Sequence, residues 1–168
     1  VHPCENPDAS QCLEEAFRPS HGVNFHCHGE DDHLTNHSLL APIPADHLEE
    51  AIQISRDKGF VLFGSEAFDV LEKTPVGAKL LIYVSHDDAE PVVRIGGTYE
   101  GYEGNPVEMR RLEREGYRPP STHGEKWALY WKAAGLEVLE QPVPLGEIQL
   151  PSGKYLEAYP RGPLLVLN

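Results

Sequence analysis

Cationic side chains are scarce in this chain. Fourteen Lys and Arg stand against 27 Asp and Glu in 168 residues, a formal net charge of −13 with histidine neutral. Proteins that track a phosphate backbone irrespective of sequence need many Lys and Arg to release counterions. That class is excluded, and any contact with nucleic acid must be local and driven by a pocket. Self-repulsion and solubility are the simplest roles for the excess acid. Cysteine is also sparse. Three thiols are an odd number and too few for a disulfide framework at this length, which points to reduced thiols and a cytoplasmic setting. The longest apolar runs, Lys79–Val84 and Leu164–Leu167, are of strand length, far short of the ~20 residues of a membrane-spanning helix, so no membrane partner is expected. The opening residues, Val1-His2-Pro3-Cys4-Glu5-Asn6, have neither the basic start nor the apolar centre of a signal peptide. No glycine-rich phosphate loop follows a strand, which excludes Rossmann and P-loop readings. Gly64-Ser65-Glu66 lacks the second glycine of a nucleophile elbow. No complete catalytic motif is legible, and the expectation is a protein without chemistry of its own.

What is present reads as one α+β domain over residues 1–168, with a His- and Pro-rich N-terminal extension (1–45) and a core over 46–168. In the extension, a short helix around Ser10–Phe17 and a strand at Gly22–His28 are candidates, and the prolines of Leu39–Pro44 suggest a connector. Asp46 with Glu49 resembles a capping box. Leu48, Ala51, Ile52 and Ser55 then share a helical face, and Lys58-Gly59 closes the helix. A strand at Phe60–Phe63 follows, then Ser65 as the cap of a short helix burying Phe68 and Leu71 and ending at Thr74-Pro75. Strands are expected at Lys79–Val84 and Val92–Tyr99, joined by an acidic turn. Asn105, Pro106, Glu108 and Gly116 punctuate a third helix. Further strands are expected near Trp127–Ala133, Leu136–Pro142 and Leu164–Leu167. Short strands with frequent Gly and Pro suggest a strongly bent sheet or barrel with two or three flanking short helices.

The segment Phe60-Val61-Leu62-Phe63-Gly64-Ser65-Glu66 resembles the opening strand of EVE domains, where a hydrophobic strand runs into a Ser-Glu pair. Val76–Ser85 is similar to that family's second signature, and Pro91–Tyr99 to the strand after it. The resemblance covers roughly residues 60–168. It departs from the family at Gly64, where lysine is usual, and at Ala67, where proline is usual. EVE domains belong with ASCH, YTH and SRA domains among the PUA-like barrels, which bind RNA or modified bases. The resemblance therefore implies a PUA-like mixed β-barrel and a non-catalytic module that recognises a nucleic acid or nucleotide, including a modified base, through a local pocket.

Such a pocket needs a flat aromatic face for stacking and polar groups for the base edge. Ser65, Glu66, Tyr83, Ser85, Tyr99, Arg118, Trp127 and Trp131 are the candidates. Alternation puts Tyr83 and Ser85 on one face of their strand, and Trp127 and Trp131 on one face of theirs with Tyr130 opposite. Arg118 and Thr122 belong to a loop placed to close over the pocket. The two strands beginning at Phe60 and Lys79 are expected side by side.

A rival site lies in the extension. His26 and His28 on a strand point to one side, and with His33 they form a candidate set for zinc or another divalent cation. His21, His37, Cys27, Glu30, Asp31 and Asp32 are close by in the sequence. The alternatives for this tract are a small metal-dependent enzyme, a metal-stabilised protein, and a solvated His-rich loop. No other cofactor is expected, and residues 1–45 also offer a surface for a protein partner.

Overall fold

The computed structural model describes residues 36–66, 69–85 and 91–167. They form a mixed α+β fold built on one six-stranded sheet and three α-helices. The strands are β1 (His37–Pro44), β2 (Phe60–Ser65), β3 (Lys79–Ser85), β4 (Val92–Glu103), β5 (Leu129–Pro144) and β6 (Leu164–Leu167). The helices are α1 (Ala45–Lys58), α2 (Asp69–Lys73) and α3 (Pro106–Arg114). Among the described residues no helix is long and apolar enough to cross a membrane.

The strand order is β2-β5-β4-β3-β1-β6, with β1 parallel to β3 and the other neighbours antiparallel. Two expectations give way here. First, β2 and β3 are not neighbours, because β5 and β4 stand between them. A strand has two edges to pair, and both edges of β3 are taken, by β4 and by β1. Second, the sheet is not closed into a barrel. β2 pairs with β5 and β6 with β1, and no ladder joins β2 to β6 among the described residues.

The reading of Leu39–Pro44 as a connector is also corrected. Leu39, Leu40 and Ala41 are completely buried, as expected of a parallel strand covered on both faces. The ladder with β3 runs from Ser38 to Pro44. Prolines at alternate positions lack their N–H groups on the same edge. That edge faces away from β3, and there β6 pairs only with His37–Leu40. The prolines therefore cost no ladder bond, and among the described residues half of β1 has no second partner.

Leu39, Ala41 and Ile43 of β1, Val61 and Phe63 of β2, Ile82 of β3, Tyr99 of β4 and Trp131 of β5 pack in one core with Leu48 and Ala51 of α1 and Leu71 of α2. Another part of the core joins Leu40, Tyr83, Val93 and Val166 to Leu145 and Ile148. A third joins Leu62 and Tyr130 to Met109 and Leu112 of α3. Fully burying one such side chain stabilises by about 1.5–3 kcal/mol.

Helix α1 ends as its sequence indicates, with Gly59 at φ 91° and its N–H donating to the Ser55 carbonyl at 3.0 Å. Its start differs, since Pro44 stands at the cap with no side-chain hydrogen bond. Asn105 caps α3, its side chain accepting from the N–H groups of Val107 (2.9 Å) and Glu108 (3.4 Å). The two strands expected between Trp127 and Pro142 are one strand. β5 runs 16 residues and bends at Gly135, whose φ is +58°. Gly97 of β4 faces the bend. A Cβ there would meet the Ala134 carbonyl oxygen at 2.8 Å, so only glycine lets the strands approach this closely.

Candidate functional site

The sheet curls far enough that the ends of β1 and β2 line one slot of about 220 Å³. Pro42 and Ile43 come from β1, Gly64, Ser65 and Glu66 from the end of β2, Trp127 and Trp131 from the start of β5 and the loop before it, and Arg161, Gly162 and Pro163 from the segment leading into β6. This volume falls below the ~300–1,000 Å³ of sites for drug-sized ligands. It suits a single small ring system.

Each wall has a local cause. Trp131 is 1% exposed and pairs in register with Phe63, their ring centroids 4.9 Å apart, so it belongs to the floor. Trp127 is 37% exposed, precedes β5, and donates from its indole N–H to Glu125 Oε2 at 3.1 Å. Its pyrrole ring occupies the space a side chain at Gly64 would take: a Cβ there would lie 1.9 Å from Trp127 Cδ1 and 2.2 Å from Cγ. Glycine at this position, where the resemblance leads one to expect lysine, is what lets the indole lie on the strand. The only sequence signal for this was that departure from the family pattern.

Ser65 is 6% exposed and ends β2. α2 is described from Asp69, and residues 67–68, through which Ser65 is expected to cap it, lie outside the described residues. The Ser65 side chain lines the slot. Glu66 is exposed beside it. Phe68 lies outside the described residues.

The other candidates are elsewhere. Tyr83 is buried in the core beneath β3, and its hydroxyl donates to the Pro160 carbonyl at 2.8 Å. Burial, with Tyr159 nearby, pushes its pKa up to about 12. Ser85 stands at the end of β3 in register with Pro44 and does not line the slot. Tyr99 is wholly buried and donates to the Leu71 carbonyl, and burial raises its pKa to about 12 as well. Alternation along β3 holds, with Leu80 and Ile82 in one part of the core and Leu81 and Tyr83 in another; what periodicity does not reveal is that both faces of the strand are covered.

Arg118 is a structural cation. It is 1% exposed. Nη1 donates to Glu113 Oε1 (2.8 Å) and to the Tyr130 hydroxyl (2.9 Å), and Nη2 donates to the Thr122 carbonyl (2.8 Å). Its guanidinium also lies 4.7 Å from the Tyr130 ring centroid. The loop it anchors does not close over the slot. It borders a wider hollow of about 500 Å³ against α1, lined by Glu49, Glu50, Gln53 and His123 among others. There Glu50 accepts from the backbone N–H and hydroxyl of Ser121, and these bonds hold its carboxyl below the usual carboxylate range. Such a wall repels anions and offers no aromatic face.

His26, His28 and His33 lie outside the described residues, as do the helix and strand expected before residue 30. Of the histidines near them in sequence, His37 begins β1, and its buried Nδ1 has no partner among the described residues. Among the described residues no group of three or more His, Cys, Asp or Glu side chains is placed to hold a metal ion.

The chain matches no protein-family model and no curated protein sequence.

Proposed function

We propose that the slot at Ser65 and Trp127 receives one planar heteroaromatic ring, a nucleobase, and that the domain is a non-catalytic recognition module of PUA-like, EVE-like type. The observation that carries this reading is Trp127: an aromatic side chain more than a third exposed, seated on a glycine backbone beside Ser65 on the slot wall. The resemblance of residues 60–168 supports it independently, as does the position of the Ser-Glu pair on the slot wall.

The energies restrict the target. Stacking on one aromatic face is worth about 1–3 kcal/mol per base. One or two hydrogen bonds, from Ser65 and to Glu66, add about 0.5–1.5 kcal/mol each. Extracting a base from a duplex costs a few kcal/mol, which would consume most of that gain. The slot is therefore matched to a base that is already unpaired. The carboxylate of Glu66 only accepts hydrogen bonds, so the preferred base edge carries an amino or imino donor, and modifications there are the ones the slot discriminates.

Fluorescence titration of the protein with single-stranded oligonucleotides, unmodified and carrying modified bases, tests this. Quenching of tryptophan emission is expected, and Trp127→Ala should weaken binding at least tenfold, the loss of about 1.4 kcal/mol of stacking. Equal binding by parent and Trp127→Ala, or none by the parent to any base, would remove the reading.

A further inference from the structure

Arg161 gives the slot a second requirement. It lines the opening, is exposed, and makes no ion pair or hydrogen bond with any of the described residues. Arg56, Arg94, Arg110 and Arg114 likewise make none with the described residues, unlike Arg111 and Arg118, so what distinguishes Arg161 is its place on the slot. Its position is set from below. The Tyr83 hydroxyl donates to the carbonyl of Pro160 at 2.8 Å, and Tyr83 itself is 1% exposed in the core. The Tyr159 ring leans on Tyr83 with centroids 6.2 Å apart. On the other side, Gly162-Pro163 leads directly into β6, held to β1 by its ladder. The residue carrying the free guanidinium is thus tethered on both sides, to the core on one and to the sheet on the other.

We infer that Arg161 takes the phosphate attached to the base, so that the ligand of the slot is a nucleoside phosphate and not a free base or nucleoside. The inference rests on the proposed base-binding role of Trp127 and Ser65 and adds the substrate class to it. A guanidinium offers a fork of donors matched to phosphate oxygens. It compensates locally for the overall negative charge, which otherwise repels any nucleotide. Glu66 on the same slot adds to that repulsion, so the base edge and the phosphate must be served by different walls, the end of β2 for one and the segment before β6 for the other. Tyr83 is a positioning residue in this arrangement. It touches no ligand and holds the segment next to Arg161.

The test is a matched titration, followed by tryptophan fluorescence, with the common nucleosides, their 5′-monophosphates and a short single-stranded oligonucleotide. The parent should bind the preferred monophosphate or the oligonucleotide about tenfold more tightly than the nucleoside, the scale of one charge-assisted hydrogen-bonding contact near the surface. Arg161→Gln should erase that preference while leaving nucleoside affinity and thermal stability unchanged, and Arg161→Lys should restore part of it. Tyr83→Phe should reduce the preference without altering nucleoside affinity, which a merely structural role would not produce. A preference confined to the monophosphate identifies a free nucleotide as the source, and one shared by the oligonucleotide identifies a strand; either supports the inference. If nucleosides bind as tightly as their phosphates, or if the preference survives in Arg161→Gln, the phosphate role is refuted while base binding stands. If no base-containing probe quenches the parent, both are refuted together.

Discussion

Gly64→Ala is the sharpest perturbation of the slot. An alanine Cβ at this position would sit 1.9 Å from Cδ1, 2.2 Å from Cγ and 2.4 Å from Nε1 of Trp127. Ordinary carbon contacts are near 3.5–4.0 Å, so the indole has to move by roughly 1.5 Å or more. It then loses its 3.1 Å hydrogen bond to Glu125. Overpacking of this kind costs about 1–3 kcal/mol, and the low end applies because Trp127 is partly exposed and free to swing outward. Against it stands the gain of about 0.5–1 kcal/mol from replacing glycine in a strand; Gly64 is not among the glycines with positive φ, so alanine itself is tolerated by the backbone. The expected net loss in the parent is therefore small, about 0.5 kcal/mol or less. In a Trp127→Ala background the obstruction is gone, and Gly64→Ala should be neutral or stabilising. A double-mutant cycle by chemical denaturation measures the difference. Should Gly64→Ala cost the same in both backgrounds, Trp127 does not occupy the space above Gly64 and the description of the slot wall is wrong.

Two further outcomes follow from buried groups. Arg118→Met strips the buried partner from Glu113, the Tyr130 hydroxyl and the Thr122 carbonyl; breaking a buried pair costs about 3–5 kcal/mol, and Glu113, one-third exposed, puts the value near 3. A thermal scan should show a midpoint lowered by roughly 10 °C, and a shift under ~3 °C would refute the structural role. Tyr83 and Tyr99 have pKa values raised from 10.0 to about 12 by burial. The folded state therefore holds their protons more tightly than the unfolded chain does. The resulting stabilisation, about 2–3 kcal/mol for each, is fully present below pH 10 and is lost as pH rises toward 12. Denaturation midpoints measured across that range should fall steeply in the parent and less so in Tyr83→Phe; parallel curves would show that Tyr83 is not the group responsible.

The local elements were largely legible in the sequence. Lys79–Val84 and Leu164–Leu167 are strands, Gly59 closes α1, and Asn105 with Pro106 opens α3, because these signals act within a few residues of where they stand. What periodicity does not carry is the choice of partner. β5 pairs with both β4 and β2, and nothing in Phe60–Ser65 or Lys79–Ser85 says that two strands intervene between them. β1 was obscured for a different reason: its prolines argue against a strand unless their missing donors face an unused edge. At the site, Ser65, Glu66, Trp127 and Trp131 were named from the sequence and do share the slot. Tyr83 was named from strand alternation and the resemblance, Tyr99 as an aromatic on a strand and Arg118 from its loop; all three are buried and none lines the slot. Arg161 and Gly64 were missed, the first because an isolated arginine in a proline-rich stretch looks like surface, the second because the residue that explains it lies 63 positions later in the chain.

The alternating prolines of β1 have a consequence for how this molecule meets other chains. A half-paired strand beside a hydrophobic interior ordinarily invites a stranger's backbone to dock alongside and seed aggregation. Pro42 and Pro44 present carbonyls there but no amide hydrogens, so a foreign strand finds only part of the bonding pattern it would need.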